Sequence, residues 1–182
     1  MAEFDAAARR GLLQLSRAVL EACVHDDFGV PIPDGPPFSL CRGAFVTLRC
    51  GAELRGCIGH ITADRPLGEV VCRMTVSAAL EDPRFAPVAA EDVAQLRIEI
   101  SVLSEPRPFP ERDPVGIQPG DHGVMVRRGW RHGLLLPQVA TEQDWSAAEL
   151  LAGVCRKAGL DADAWRDPET ELYVFQVEAF GE

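Results

Sequence analysis

The chain has 182 residues, room for one compact domain with at most a small second lobe. Hydrophobic residues make up 47% and charged residues 25%, a balance that fits a globular protein and not a disordered one. Its 18 basic and 28 acidic residues leave a net charge of −10, which repels a phosphate backbone and argues against general nucleic-acid or anionic-membrane binding.

The opening stretch, MAEFDAAARRGLLQLSRAV, places acids ahead of its arginines and has no long apolar core, so it does not read as a signal peptide. No apolar run nears the ~20 residues a membrane span needs. A cytoplasmic protein is expected, with Cys23, Cys41, Cys50, Cys57, Cys72 and Cys155 as reduced thiols. None forms a C-x-x-C pair, and Cys41, Cys50 and Cys57 are too widely spaced for a zinc ribbon. The four histidines, His25, His60, His122 and His132, are scattered in sequence and do not define a metal site without a fold. Cys23, Cys72 and Cys155 fall at apolar positions of helix-like segments and read as core.

Residues 5–25 carry an apolar stripe of Leu12, Leu13, Leu15, Val19, Leu20 and Cys23 at three- and four-residue steps, which predicts a helix. VPIPDGPP, from Val30 to Pro37, forbids regular structure and predicts a strap. Gly43 to His60 reads as a hairpin: FVTL is the first strand, Cys50-Gly51-Ala52 the turn, and ELRGCI the return, bending at the Gly56-x-x-Gly59 bracket. Residues 66–80 predict a helix begun by Pro66 and stopped by Pro83 and Pro87. LRIEISVLS (96–104) predicts a strand with Leu96, Ile98, Ile100 and Val102 on one face and Arg97, Glu99, Ser101 and Leu103 on the other. Residues 105–123 predict an irregular connection. Residues 124–137 predict a hairpin turning at Arg128-Gly129, and 143–159 a helix entered through Thr141 as N-cap and closed by Gly159. Leu172 to Phe180 predicts a last strand. Strands and helices mix without a βαβ repeat, and the hairpins imply antiparallel pairing. The fold class is therefore α+β, mainly an antiparallel sheet flanked by helices, in a single domain.

Three groups carry chemistry. Cys57, in LRGCIGH, is either a working thiol at a strand end or a small buried residue. Arg55 and His60 lie near it in sequence, and a cation close to a thiol favours the thiolate. Asp82 and Arg84, in EDPRF, are either a local pair after a helix or substrate-binding groups. His122, between Gly120 and Gly123, is either a turn residue or an imidazole held exposed beside a ligand. No nucleotide-binding glycine loop is present.

The blocks GAFVTL (43–48), LRGCIG (54–59), ALEDPRF (79–85), IEISVLS (98–104), GDHG (120–123), LLLPQVATEQDW (134–145), KAGL (157–160) and LYVFQVEAF resemble, in colinear order over about three-quarters of the chain, the AMMECR family. That family is named for the Alport syndrome, mental retardation, midface hypoplasia and elliptocytosis chromosomal region protein, and LRGCIG is its hallmark. His60 stands where many members carry a small hydroxyl residue, so the resemblance does not support His60 as a base. The resemblance implies one α+β unit, 1–182, with a larger and a smaller lobe (the smaller within 105–145) and a cleft between them. It also implies functional partners of two kinds, a Memo-type protein and a radical S-adenosylmethionine protein. No cysteine spacing here would hold an iron–sulfur cluster, so the radical chemistry would belong to the partner, and the cofactor of this chain is unknown.

The expectation is an enzyme acting on a small organic molecule. Cys57 and His122 are its catalytic candidates. Arg55, Asp82, Arg84 and Glu142 are its substrate-binding candidates, with the arginines meeting an anionic group. The alternative is a non-catalytic adaptor in which LRGCIG is structural. A weaker third reading, association with nucleic acid, runs against the net charge.

Overall fold

The computed structural model describes residues 4–182; the first three residues of the signal-peptide reading lie outside them. The chain divides into two compact units, Met1–Leu103 with Glu178–Glu182, and Ser104–Val177. The second unit runs past 105–145, because a later helix and strand complete its core.

In the first unit, α1 (Ala6–Cys23) starts where the Asp5 carboxylate accepts the Ala8 N–H at 2.8 Å. That bond satisfies one of the amides a helix start leaves open. Of its predicted stripe Leu12, Leu15, Val19, Leu20 and Cys23 are buried, and Leu13 is only partly so, packed at the edge of the core. The strands β1 (Ala44–Cys50) and β2 (Glu53–His60) form the hairpin, with Gly51 at φ +58° in the turn. A left-handed residue there suits glycine, which has no Cβ to clash. β3 (Leu96–Leu103) pairs with β1, so the order is β2-β1-β3, with the chain's last residues beyond β3. Ala44, Val46 and Leu48 of β1 and Ile98, Ile100 and Val102 of β3 pack with α1 and α2 (Leu67–Val76) in one apolar core. Side chains alternate along a strand, so Phe45, Thr47 and Arg49, with Arg97, Glu99 and Ser101, occupy the second face.

Two expectations change here. The 66–80 helix ends at Val76 and continues as a single π turn, Ser77–Glu81. The bend at Gly56–Gly59 is absent: β2 stays paired to His60. Irregularity comes earlier, where Leu48 faces Gly56 but Arg49 faces Leu54, so Arg55 bulges out unpaired.

The second unit is also antiparallel. β7 (Glu171–Gly181) pairs on one side with the short β4 (Arg107–Pro108) and on the other with β5 (His122–Arg128), which pairs with β6 (Arg131–Leu135). Residues 105–123 are thus not wholly irregular. The β5–β6 turn is Gly129-Trp130, one residue later than predicted, with Gly129 at φ +60°. The 143–159 helix is shortened to α4 (Ala147–Lys157), and a separate short helix that was not predicted, α3 (Pro137–Glu142), precedes it, the two parted at Asp144 with φ +52°. Thr141 lies inside α3. The N-cap of α4 is Ser146, in a reciprocal box with Glu149. Gly159 closes α4 as expected, at φ +71°. Val124, Val126, Leu150, Leu151, Val154 and Trp165 form the core of this unit. Among the described residues no helix is long and apolar enough to cross a membrane.

Candidate functional site

Cys57 sits in the edge strand of the first unit, facing Thr47 across β1. Its N–H and C=O point away from β1, and an edge strand must find partners for such groups. Asp82 and Arg84 supply them. The Asp82 Oδ2 accepts the Cys57 N–H at 2.9 Å, and the Arg84 Nη2 donates to the Cys57 carbonyl at 2.9 Å. The pair is itself locked, with Arg84 Nε on Oδ1 at 2.9 Å and Nη2 on Oδ2 at 2.7 Å. The Asp82 side chain is 2% exposed and that of Arg84 53%. The hydrogen bond from Arg84, aided by the Cys57 amide and against the effect of burial, holds the Asp82 carboxyl well below the usual range. Asp82 therefore positions its neighbours, and its carboxylate is already in use.

The same contacts explain two glycines. A Cβ on Gly56 would run into the Ala78 carbonyl of the π turn, and one on Gly59 into the Phe45 ring. The π turn brings Asp82 against β2, and Gly56 permits that approach.

The Cys57 thiol is half-buried, and the Thr47 hydroxyl donates to its sulfur at 3.3 Å. Thr47 in turn faces Glu99 on β3, so Cys57, Thr47 and Glu99 make one rung across three strands. The fixed cation next to Cys57 is Arg84, not the expected Arg55. The Arg84 pKa is raised chiefly by Asp82 and in smaller measure by Cys57. His60 cannot serve Cys57. Three residues along a strand puts it on the opposite face, and its Nε2 is taken by Asp64 at 2.6 Å and Thr62 at 2.9 Å.

His122 and Glu142 belong to the second unit. His122 opens β5, and its Nδ1 accepts the Gln118 N–H at 3.2 Å. The neutral ring therefore carries its proton on Nε2. Glu142 ends α3 and is exposed. Among the described residues no three His, Cys, Asp or Glu side chains are placed to hold a metal. A hollow of about 350 Å³ lies among α1, the strap and α2, walled by Val19, Val30, Ile32, Cys72, Val76 and Glu81. Cys57 is not in its wall, and burial pushes the Cys72 thiol up to about 11, so this hollow holds no reactive thiol near neutrality.

Sequence reading missed Thr47 as the sulfur's partner. FVTL shows that Thr47 leaves the core face, but only the register of β1 on β2 sets it opposite Cys57.

These features define a small α+β protein with a half-buried thiol on one face of an antiparallel sheet and a buried Asp–Arg clip behind it. The AMMECR1 family model matches residues 13–180, and the chain belongs to that family. A protein of Methanothermobacter thermautotrophicus is 42% identical over 179 residues, covering 95% of this chain and 93% of the relative. One from Thermococcus gammatolerans is 41% identical over 181 residues, covering 94% and 88%. The crystal structure of uncharacterized protein PH0010 from Pyrococcus horikoshii matches with a TM-score of 0.82 at 38% identity, covering 94% of this chain and 89% of that one.

Proposed function

We propose that this protein is a cytoplasmic enzyme acting on a small organic molecule at Cys57, alongside a Memo-type and a radical S-adenosylmethionine protein. The partners rest on the family resemblance alone. The site rests on one observation: the Cys57 sulfur is half-buried, takes a hydroxyl hydrogen bond from Thr47, and sits on backbone fixed by Asp82 and Arg84. A thiol needs a donor and a nearby cation to work as an anion, and a rigid backbone to be aimed.

Alkylation by iodoacetamide at neutral pH, read by peptide mapping, tests it. Cys57 is expected to label well before Cys23 and Cys155, which are buried, and before Cys72. Exposed Cys41 serves as the fast reference. Thr47→Val is expected to slow Cys57 several-fold and leave Cys41 unchanged. The adaptor reading has its own support, since Gly56 and Gly59 are both accounted for by packing. If Cys57 labels only in denaturant, catalysis at this thiol is lost and the adaptor reading stands.

A further inference from the structure

Arg49 and Arg97 face each other directly across β1 and β3, on the same sheet face as Thr47, Cys57 and Glu99. Both are exposed. Like charges directly opposite on a sheet repel, with Cβ atoms about 5 Å apart. Among the described residues no carboxylate answers them. The Arg97 side chain has no hydrogen-bond or ion-pair partner, and Arg49 reaches only the Ala52 carbonyl, at 3.3 Å. In a chain of net charge −10 with 28 acidic residues, an unanswered arginine pair is a local exception. The neighbouring rung is Cys57–Thr47–Glu99, about 7 Å along the strands at ~3.4 Å per residue.

We propose that Arg49 and Arg97 bind an oxyanion, a carboxylate or phosphate group, and hold the substrate with its reacting atom one rung away at Cys57. This deepens the thiol reading above and rests on it for the second half of the statement. Two arginines paired on adjacent strands can offer their N–H forks to one oxyanion, and such forks suit carboxylate and phosphate oxygens. Arg84 is less suited to the task. Its charge is already answered by Asp82, and two of its nitrogens are committed to that carboxylate and the Cys57 carbonyl. Arg55, bulged and without a side-chain partner among the described residues, adds to the positive field without facing either arginine. Glu99 shares the face with them, so the substrate beside Cys57 is expected to offer a hydrogen-bond donor there as well.

Two measurements separate this inference from the thiol reading. First, arginine side-chain N–H signals of the ¹⁵N-labelled protein are titrated at constant ionic strength, once with inorganic phosphate and once with succinate. Arg49 and Arg97 are expected to move together and saturate with one of them, which also names the anion. The Arg49→Gln/Arg97→Gln double variant should weaken that binding at least tenfold. Second, Cys57 is alkylated with anionic iodoacetate and with neutral iodoacetamide. The double variant should lower the iodoacetate-to-iodoacetamide rate ratio about tenfold, the iodoacetamide rate correcting for any change in the thiolate fraction. Arg97→Gln alone should raise the melting temperature by about 1–2 °C, because it relieves the repulsion. If neither anion saturates the pair, or the ratio survives the double variant, the pair is a solvated surface feature and the proposal is overturned. An anion that binds while Cys57 resists both reagents keeps the anion site and removes the thiol. A reactive Cys57 with no anion binding does the reverse.

Discussion

Ile100→Asp is expected to leave the protein unfolded or aggregated when produced at 37 °C. Ile100 is fully buried near the middle of β3, paired with Val46 of β1, with the α1 and α2 core over it. The substitution removes the isoleucine's packing, worth about 2–5 kcal/mol when truncated. It also places a carboxyl where no donor waits, at a further cost of roughly 1–3 kcal/mol even if the group stays protonated. The sum approaches the whole stability of a typical domain, about 5–15 kcal/mol. Ile100→Val, which keeps the shape, should cost only about 0.5–1.5 kcal/mol. Thermal melts followed by circular dichroism distinguish the two. An unchanged melt for Ile100→Asp would remove β3 from the core.

That prediction was open to the sequence, because LRIEISVL alternates without interruption and one face is wholly aliphatic. The hairpin was legible for a similar reason, with Gly51 marking its turn. The α3–α4 break was legible too, since Ser146-Ala-Ala-Glu149 spells a capping box, yet the eye is drawn to Thr141 by the apolar run before it. The candidate site divides differently. Cys57, Asp82 and Arg84 stood out by residue type, and the structure brings these three together. What they do to one another was hidden. A GxxG bracket suggests a bend, but here both glycines answer neighbours distant in sequence, the Ala78 carbonyl and the Phe45 ring. Thr47 and the Arg49–Arg97 pair depend on strand register. Register is set by long-range pairing, and a one-residue slip would send each side chain to the other face.

Asp82→Ala is expected to be the most damaging change near the thiol that leaves the core untouched. It strips the Cys57 N–H of its acceptor and frees Arg84 from two bonds. An unsatisfied amide costs about 1–3 kcal/mol. The Arg84 side chain is 53% exposed, so water takes up much of its charge and a full buried-pair penalty does not apply. A net loss of roughly 2–3 kcal/mol should lower the melting temperature by about 5–10 °C. The pH dependence identifies the cause. The Asp82 carboxyl is held below its ordinary value in the folded state. Its contribution is therefore full above the unfolded carboxyl pKa of about 3.9 and is lost as pH falls from there through the folded value. Wild type should lose stability steeply below about pH 4, and Asp82→Asn should lose less over the same range. Asn keeps an oxygen for the Cys57 N–H but carries no proton-linked charge. Urea melts of wild type, Asp82→Ala and Asp82→Asn between neutral and acid pH provide the comparison. If the two variants are equally unstable at pH 7, the backbone hydrogen bond contributes nothing and the ion pair alone holds the clip. If Asp82→Asn keeps the wild-type acid slope, the slope belongs to other carboxylates, and the Arg84 bond is not what depresses Asp82.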